Sequence, residues 1–385
     1  AVYYKLQPGS FNAVGPQSLI IPEQLGTEQA LKSALYFGDE ITVTDKLSIH
    51  AGLRYSVFSY LGPHDQYTYL AGVPRSKNSM LDTLHYQGGK VIKTYSNPEY
   101  RISLRYTLSE SASVKLSFNT MTQYIHTLSN TNSISPTDVW KLSDAYIKPQ
   151  LGNQFSVGLY KNFRANTIET SLEVYYKRSK NYLDFKSGAT LLLNPHIETD
   201  LIATRGKAYG AELLVKKSSG KLTGWVSYTY SKVQLRSNDV LAGETVNSGK
   251  FYPANFDKPH NSNFTGNYKF SHRYSMSLGV SYSTGRPITL PLAIFNLGGA
   301  QRVYYSERNQ FRTPDYFRAD FSFMIEGNHK KNQAIHNSWS FGVYNLTGRK
   351  NVYSIYFIEE NGFIKGYKLS IFGTLIPFVT YNIRF

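Results

Sequence analysis

The chain has no cysteine among its 385 residues. That excludes a disulfide framework, a thiolate metal site and a cysteine nucleophile. It also has no run of about 18 apolar residues, the minimum for a membrane-spanning helix, and its mean hydropathy is −0.36. A helical membrane protein is excluded. A transmembrane β-barrel is not, because alternating apolar and polar residues halve the mean. The nine histidines form no H-E-x-x-H arrangement, and no G-x-S-x-G elbow occurs. Five residues separate Gly243 from Gly249-Lys250 where a phosphate loop has four, and Phe251 occupies the place of its Ser or Thr. The chain is therefore read as no enzyme, with no metal site and no cofactor. It opens Ala1-Val2-Tyr3-Tyr4, without an initiator methionine or a signal peptide, and is expected to be a processed or partial product.

What the chain does have is alternation. In the last nine residues, Val379, Tyr381, Ile383 and Phe385 point one way, and Thr380, Asn382 and Arg384 the other. Alone this could be an ordinary edge strand, but the pattern recurs along almost the whole chain. Leu47, Ile49, Ala51, Leu53, Tyr55 and Val57 oppose His50, Arg54 and Ser56; Ile168, Thr170, Leu172, Val174 and Tyr176 oppose Glu169, Glu173 and Lys177. About thirteen such strands can be counted, each about ten residues or longer, enough for a tilted strand to cross hydrocarbon. The 32 Tyr and 22 Phe suit interfacial girdles, where a ring is half in lipid and half in water. Short polar turns at 44–46, 109–111, 164–166, 218–220 and 271–273 alternate with long loops near 61–97, 126–151, 181–206, 236–259 and 286–314. Outer-membrane barrels sort their connections this way, short on the periplasmic side and long outside. The expected fold is all-β: an antiparallel, up-and-down transmembrane β-barrel. An odd strand count cannot close simply, so residues 1–385 are expected to be a partial barrel, the carboxy-terminal portion of a larger one. Residues 1–31 are expected to be an extracellular loop segment leading into the first visible strand.

Charge narrows the function. Lys plus Arg number 42 against 26 acids, a formal net charge of +16. The basic residues alternate into strands and spread through loops, forming no stripe, so nucleic acid is not the expected partner. Either a cationic lumen and vestibule attract an anionic solute or the anionic headgroups of outer-leaflet lipopolysaccharide, or a further, acidic portion of the barrel balances the charge. Arg286, Arg302, Arg308 and Arg312 are the candidate anion contacts, with Tyr304 and Tyr305 stacking beside them. Glu169, Glu173 and Glu212 could be read as catalytic carboxylates; a polar lumen in which they pair with Arg101, Arg105, Lys115 and Arg318 accounts for them better. Tyr60, Tyr67, Tyr69, Trp140, Tyr146, Phe251, Tyr252 and Phe256 either grip a solute or pack loops and girdles.

Several segments, in order, resemble TonB-dependent receptors in the form common in Bacteroidetes outer membranes. They are 123–126 through 135–140, 146–150 with 154–158, the glycine-plus-glutamate strand 206–213, 252–253 with 256–260, 313–320, 343–351, 372–377 and the terminal 382–385. The resemblance implies a 22-stranded barrel filled by a plug, of which this chain would be about the last thirteen strands, its first lying near strand 10. It implies the bacterial outer membrane and import of a scarce nutrient, with loops capturing the solute and TonB acting through a plug region not present in this sequence. It also implies recognition by the barrel-assembly machinery through Tyr381, Ile383 and Phe385. The alternative is a structural barrel that scaffolds a surface lipoprotein or a secretion complex without transport. A passive porin or an outer-membrane lipase fits less well.

Overall fold

The computed structural model describes residues 1–8, 10–11, 23–128, 139–191, 194–237, 243–327, 335–360, 362–371 and 373–384. Its main element is a 15-stranded antiparallel sheet. In order the strands are β1 (Val2–Leu6), β2 (Glu28–Thr44), β3 (Leu47–Leu61), β4 (Val91–Ser109), β5 (Ala112–Gln123), β6 (Gln150–Phe163), β7 (Ile168–Phe185), β8 (Leu201–Lys217), β9 (Leu222–Arg236), β10 (His260–Lys269), β11 (Tyr274–Ser283), β12 (Tyr316–Glu326), β13 (His336–Tyr344) and β14 (Ile376–Arg384), with Tyr252–Pro253 added alongside β9. Each strand hydrogen-bonds the next, which is the up-and-down order expected. Among the described residues β1 and β14 are the two edges.

The thirteen long strands read from the alternation are β2 to β14. Residues 1–31 divide differently from the expected single loop segment. The alternating Val2-Tyr3-Tyr4-Lys5-Leu6 forms β1, paired with 28–32, and β2 already begins at Glu28, because Glu28 and Ala30 are buried on the sheet's inner side. The strands reach 19 residues in β4. Connections at one end are short: 45–46, 110–111, 164–167, 218–221, 270–273 and 327–335. Those at the other end are long: 7–27, 62–90, 124–149, 186–200, 237–259, 284–315 and 345–375. Several long ones carry their own hairpins, such as 125–128 with 139–142 and 291–297 with 300–305.

Register aligns like with like. One row crossing β5 to β9 reads Val114, Leu159, Leu172, Leu213, Tyr228; the next reads Leu116, Val157, Val174, Ala211, Tyr230; a third, ending on β8, reads Phe118, Phe155, Tyr176, Tyr209. Most of these side chains are exposed, Phe155 at 51% and Val174 at 52%. A contiguous exposed apolar face of this kind is stable against lipid, not water. The opposite face reads Ser103, Ser117, Ser156, Tyr175, Gly210, Ser231, then Arg105, Lys115, Gly158, Glu173, Glu212, Thr229. Glu173 accepts the Tyr160 hydroxyl at 2.6 Å and Glu169 pairs with Lys216 at 3.3 Å, while Arg318 pairs with Asp320 at 2.8 Å. Glu169 and Glu173 therefore take other partners than those expected.

Glycines let inner aromatic rings lie flat on the wall. A Cβ at Gly210 would collide with the Tyr230 carbonyl and come within 2.8 Å of the Tyr175 hydroxyl, whereas one at Gly279 would meet nothing within 4 Å. Gly210→Val should destabilise the folded barrel by about 1–3 kcal/mol, the usual cost of overpacking, and Gly279→Val should not. Heat-modifiability on gels reads both; equal effects would show that the Tyr175 contact does not matter.

Candidate functional site

The long connections build a layer over one end of the sheet, and its centre is a buried charge. The hairpin 125–142 turns back onto β2 and β3. Tyr124 stacks on Phe58 with ring centroids 4.7 Å apart, and its hydroxyl lies 2.8 Å from Ser56 Oγ. Leu142 packs with Ala30, Phe58 and Tyr60, all fully buried. This carries Lys141 inside, where its ammonium meets Glu28 and, at 2.8 Å, Asp144. Leu142 N–H donates to Glu28 at 2.8 Å, and the N–H groups of Tyr146 and Ile147 donate to Asp144 at 2.8 Å each. Burial alone would lower the Lys141 pKa, but Asp144 and Glu28 more than offset it and hold it well above the usual lysine value. Burial likewise acts to raise the Asp144 pKa, and Lys141 reverses that to a lowered one. At Glu28 burial outweighs the Lys141 charge and raises the carboxyl pKa, so Lys141 and Asp144 form the firmly ionised pair of the node.

Two histidines flank this node. His126 lies 3.1 Å from Ser143 Oγ, and His64 lies 3.2 Å from the Tyr60 hydroxyl. Burial first, and the Lys141 charge as well, lower both pKa values from 6.5 to about 4. Both imidazoles are neutral at pH 7. Beside them a cavity of about 520 Å³ is lined by Tyr60, His64, Tyr67, Trp140, Asn194 and Glu198, among others. Trp140 is 56% exposed. Rings, an amide and acids could hold a polar solute by stacking and hydrogen bonding; this is not an anion site. Among the described residues no group of three or more His, Asp or Glu could hold a metal.

The six residues expected to contact an anion fall into three settings. Arg308 reaches across loops to Asp184 at 3.2 Å, Glu244 at 3.1 Å and the Phe185 carbonyl at 2.6 Å. Arg312 grips the Asp257 carboxylate and donates to the carbonyls of Asp257 and Gly285 at 2.9 Å each. These two arginines are already neutralised and act as struts between loops. Arg286 is half-buried beside Tyr316, Asn351 and Tyr353, and desolvation lowers its pKa. Arg302, Tyr304 and Tyr305 lie exposed on the hairpin 291–305. Of the loop aromatics, Tyr60 and Tyr252 are buried packing residues, Tyr69 and Tyr146 pack edge to face at 5.6 Å, and Phe256 is 46% exposed. Tyr381 and Ile383 lie exposed on β14, the Tyr381 ring tilted against Trp339 with centroids 4.5 Å apart; Phe385 is outside the described residues.

Sequence reading missed Glu28, Lys141 and Asp144, because Glu28 and Lys141 are far apart in the chain and share no local pattern. It did single out segments that prove to be rim staples. Asp257 accepts the Val233 N–H at 2.7 Å, Asp315 the Gly285 N–H and the Tyr282 hydroxyl at 2.8 Å each, and Asn351 bridges the Phe317 N–H and carbonyl at 3.0 and 2.8 Å.

A family model described as TonB dependent receptor-like, beta-barrel, matches residues 2–346. No curated protein matches the chain. Among solved structures it resembles the ferric-catecholate import receptor Fiu from E. coli K12, closed form (14% identity, TM-score 0.58, covering 99% of this chain and 50% of that one). It also resembles the ferripyoverdine receptor of the Pseudomonas aeruginosa outer membrane (15%, 0.55, 96% and 41%) and the siderophore receptor PiuA from Acinetobacter baumannii (16%, 0.55, 94% and 44%). The chain thus spans half or less of these structures, and at such identities the likeness establishes the fold alone.

Two outcomes follow. Lys141→Met leaves two carboxylates buried without their cation, which typically costs about 3–5 kcal/mol, so protease should cut loop 124–149 far faster in intact outer membranes; unchanged cleavage would mean the node does not hold the loop. The second concerns pH. An opened loop binds protons on His64 and His126 below about pH 6.5, and the closed loop only below about 4. Closure is therefore weakened as pH falls through that window and is unaffected above it. Cleavage should rise between pH 6.5 and 4 in the wild type and rise less in His126→Gln; equal profiles would exclude His126 as a cause.

Proposed function

The chain belongs to the TonB-dependent receptor family as part of an outer-membrane β-barrel, and we propose that the barrel serves import: long loops capture a scarce solute too large for porins and pass it through the lumen. The observation that carries this reading is the loop layer itself. All the long connections lie at one end, one anchored to the start of β2 by Lys141 and others tied loop to loop by Arg308 and Arg312, above a polar inner face. A mouth built in this way can hold a solute in fixed geometry. We assign solute contact to the exposed parts of the layer, Trp140 at the cavity and Arg302, Tyr304 and Tyr305 on the hairpin, with Arg286 beneath. Arg308 and Arg312 position the loops. TonB would act through a plug region, and Tyr381 and Ile383 would present the edge of β14 to the assembly machinery. The finer placement among Bacteroidetes-type receptors rests on the order of the resembling segments.

The test is genetic and uses the intact protein in its own cell. Deletion strains are grown on a panel of limiting nutrients, including iron chelates, cobalamin and oligosaccharides. Import requires a growth defect in at least one condition, relieved by excess of that nutrient and reproduced by loss of TonB. In that condition the triple change Arg302→Ala, Tyr304→Ala, Tyr305→Ala should raise the half-maximal nutrient concentration about tenfold, equivalent to about 1.4 kcal/mol. No defect anywhere, together with loss of a surface lipoprotein from the membrane, would replace import with scaffolding.

A further inference from the structure

The outward face of β7 to β9 changes character abruptly toward the long-loop end. The last aromatic row is Phe118, Phe155, Tyr176 and Tyr209, and Lys232 stands opposite Tyr209. The next row up pairs Asn153 with Arg178, Arg178 with Lys207 and Lys207 with Gln234. Above it, Leu151 faces Lys180 and Arg205 faces Arg236. Six cations therefore share the face that carries the apolar band, and these rows contain no acid. At the same end of β2 to β4, the outward rows are Leu35, Tyr55, Pro98, then Ser33, Val57, Ser96, then Leu31, Ser59, Thr94, all uncharged. The cations belong to one sector of the wall.

None of the six is spent on a carboxylate among the described residues. Arg178 Nε reaches the Tyr176 hydroxyl at 3.2 Å, and Arg236 Nε the Gly249 carbonyl at 2.7 Å. Lys207 and Arg236 flank the Phe251 ring, 4.0 and 5.7 Å from its centroid. Lys180, Arg205 and Arg236 also line a cleft of about 550 Å³ with Arg75 and Lys148 from adjoining loops. Its one acid, Glu198, already accepts the Tyr69 hydroxyl at 2.6 Å. Arg75 Nε is buried there without a hydrogen-bond partner. Strands lie about 4.8 Å apart and same-face rows about 7 Å apart, so the cations cover about 10 by 14 Å. That is wider than one phosphate.

We propose that this sector is a lipid site: it holds a headgroup bearing more than one phosphate, in the outer leaflet, with the acyl chains lying against the apolar rows below. Cations set just beyond an aromatic row stand where a headgroup begins, and arginine forks match phosphate oxygens. The inference needs the barrel to sit in the membrane with its long loops outward; it does not need the import reading.

Native mass spectrometry of the full protein in neutral detergent tests it. The probes are a bis-phosphorylated acylated glucosamine disaccharide, its dephosphorylated form, phosphatidylglycerol and inorganic phosphate. The wild type should retain the bis-phosphorylated lipid at least tenfold better than the other two lipids, with inorganic phosphate failing to displace it. The change Arg178→Gln, Lys180→Gln, Arg205→Gln, Arg236→Gln should abolish that preference, and Arg178→Lys with Arg205→Lys should keep most of it. If the quadruple variant fails to fold on heat-modifiability gels, Arg178→Gln and Arg205→Gln alone should each reduce retention. Wild-type retention in the folded variants, equal retention of dephosphorylated lipid, a preference for phosphatidylglycerol, or displacement by inorganic phosphate would each overturn the proposal.

Discussion

In hydrocarbon no water is present to satisfy a backbone N–H or carbonyl, so each must find its partner on a neighbouring strand. Everything else in this chain follows from that. A sheet in which every strand pairs with the next has a side-chain period of two, and the two faces then meet different solvents. The outward rows of Val, Leu, Phe and Tyr and the inward rows of Ser, Gly, Glu and Arg are two consequences of one backbone pattern. A one-residue slip would exchange them, putting Glu173 and Arg105 into lipid. The register is therefore held by the bilayer as firmly as by contacts within the protein.

Where the strands leave the membrane the constraint relaxes and charge takes over. The net of +16 is not one electrostatic field. Lys141 is buried between two carboxylates; Arg308 and Arg312 bind acids of neighbouring loops; Arg178, Arg205 and Arg236 face outward with no acid. The first two uses fix the loop layer internally, and the third leaves cations facing outward for an external anion. A sum over the sequence cannot separate these uses, because each depends on which strand lies next to which.

That also explains what could be read from the sequence. Strand existence, facing and the alternation of short and long connections are local properties, visible in segments such as 168–176, and they recur as β7 and its neighbours. The contents of the loops are not local. Glu28 finds Lys141, and Asp184 finds Arg308, only after the sheet has brought distant turns together. Family-like segments were legible for the same reason as strands. Asp257, Asp315 and Asn351 bind backbone groups of adjacent strands, so their spacing is fixed by the sheet. They mark the rim and leave the identity of the solute open.

The loop layer constrains how a solute could enter. Opening the hairpin 125–142 would expose Tyr124, Leu142 and Tyr60 and separate Lys141 and the Leu142 N–H from Glu28. Such an opening loses packing and charge pairing together, so this side of the mouth is the stiff one. The hairpin 291–305 is different. Its strands pair with each other, its tyrosines are exposed, and it meets the next loop through strand 363–370 and a hydrogen bond from Gln301 to Glu359 at 3.1 Å. Under the proposed import reading, a mouth with one buried, charge-tied wall and one exposed wall would close by moving the second against the first. Capture of that kind would leave the strand register untouched, since the hairpin's strands pair with each other and not with the main sheet.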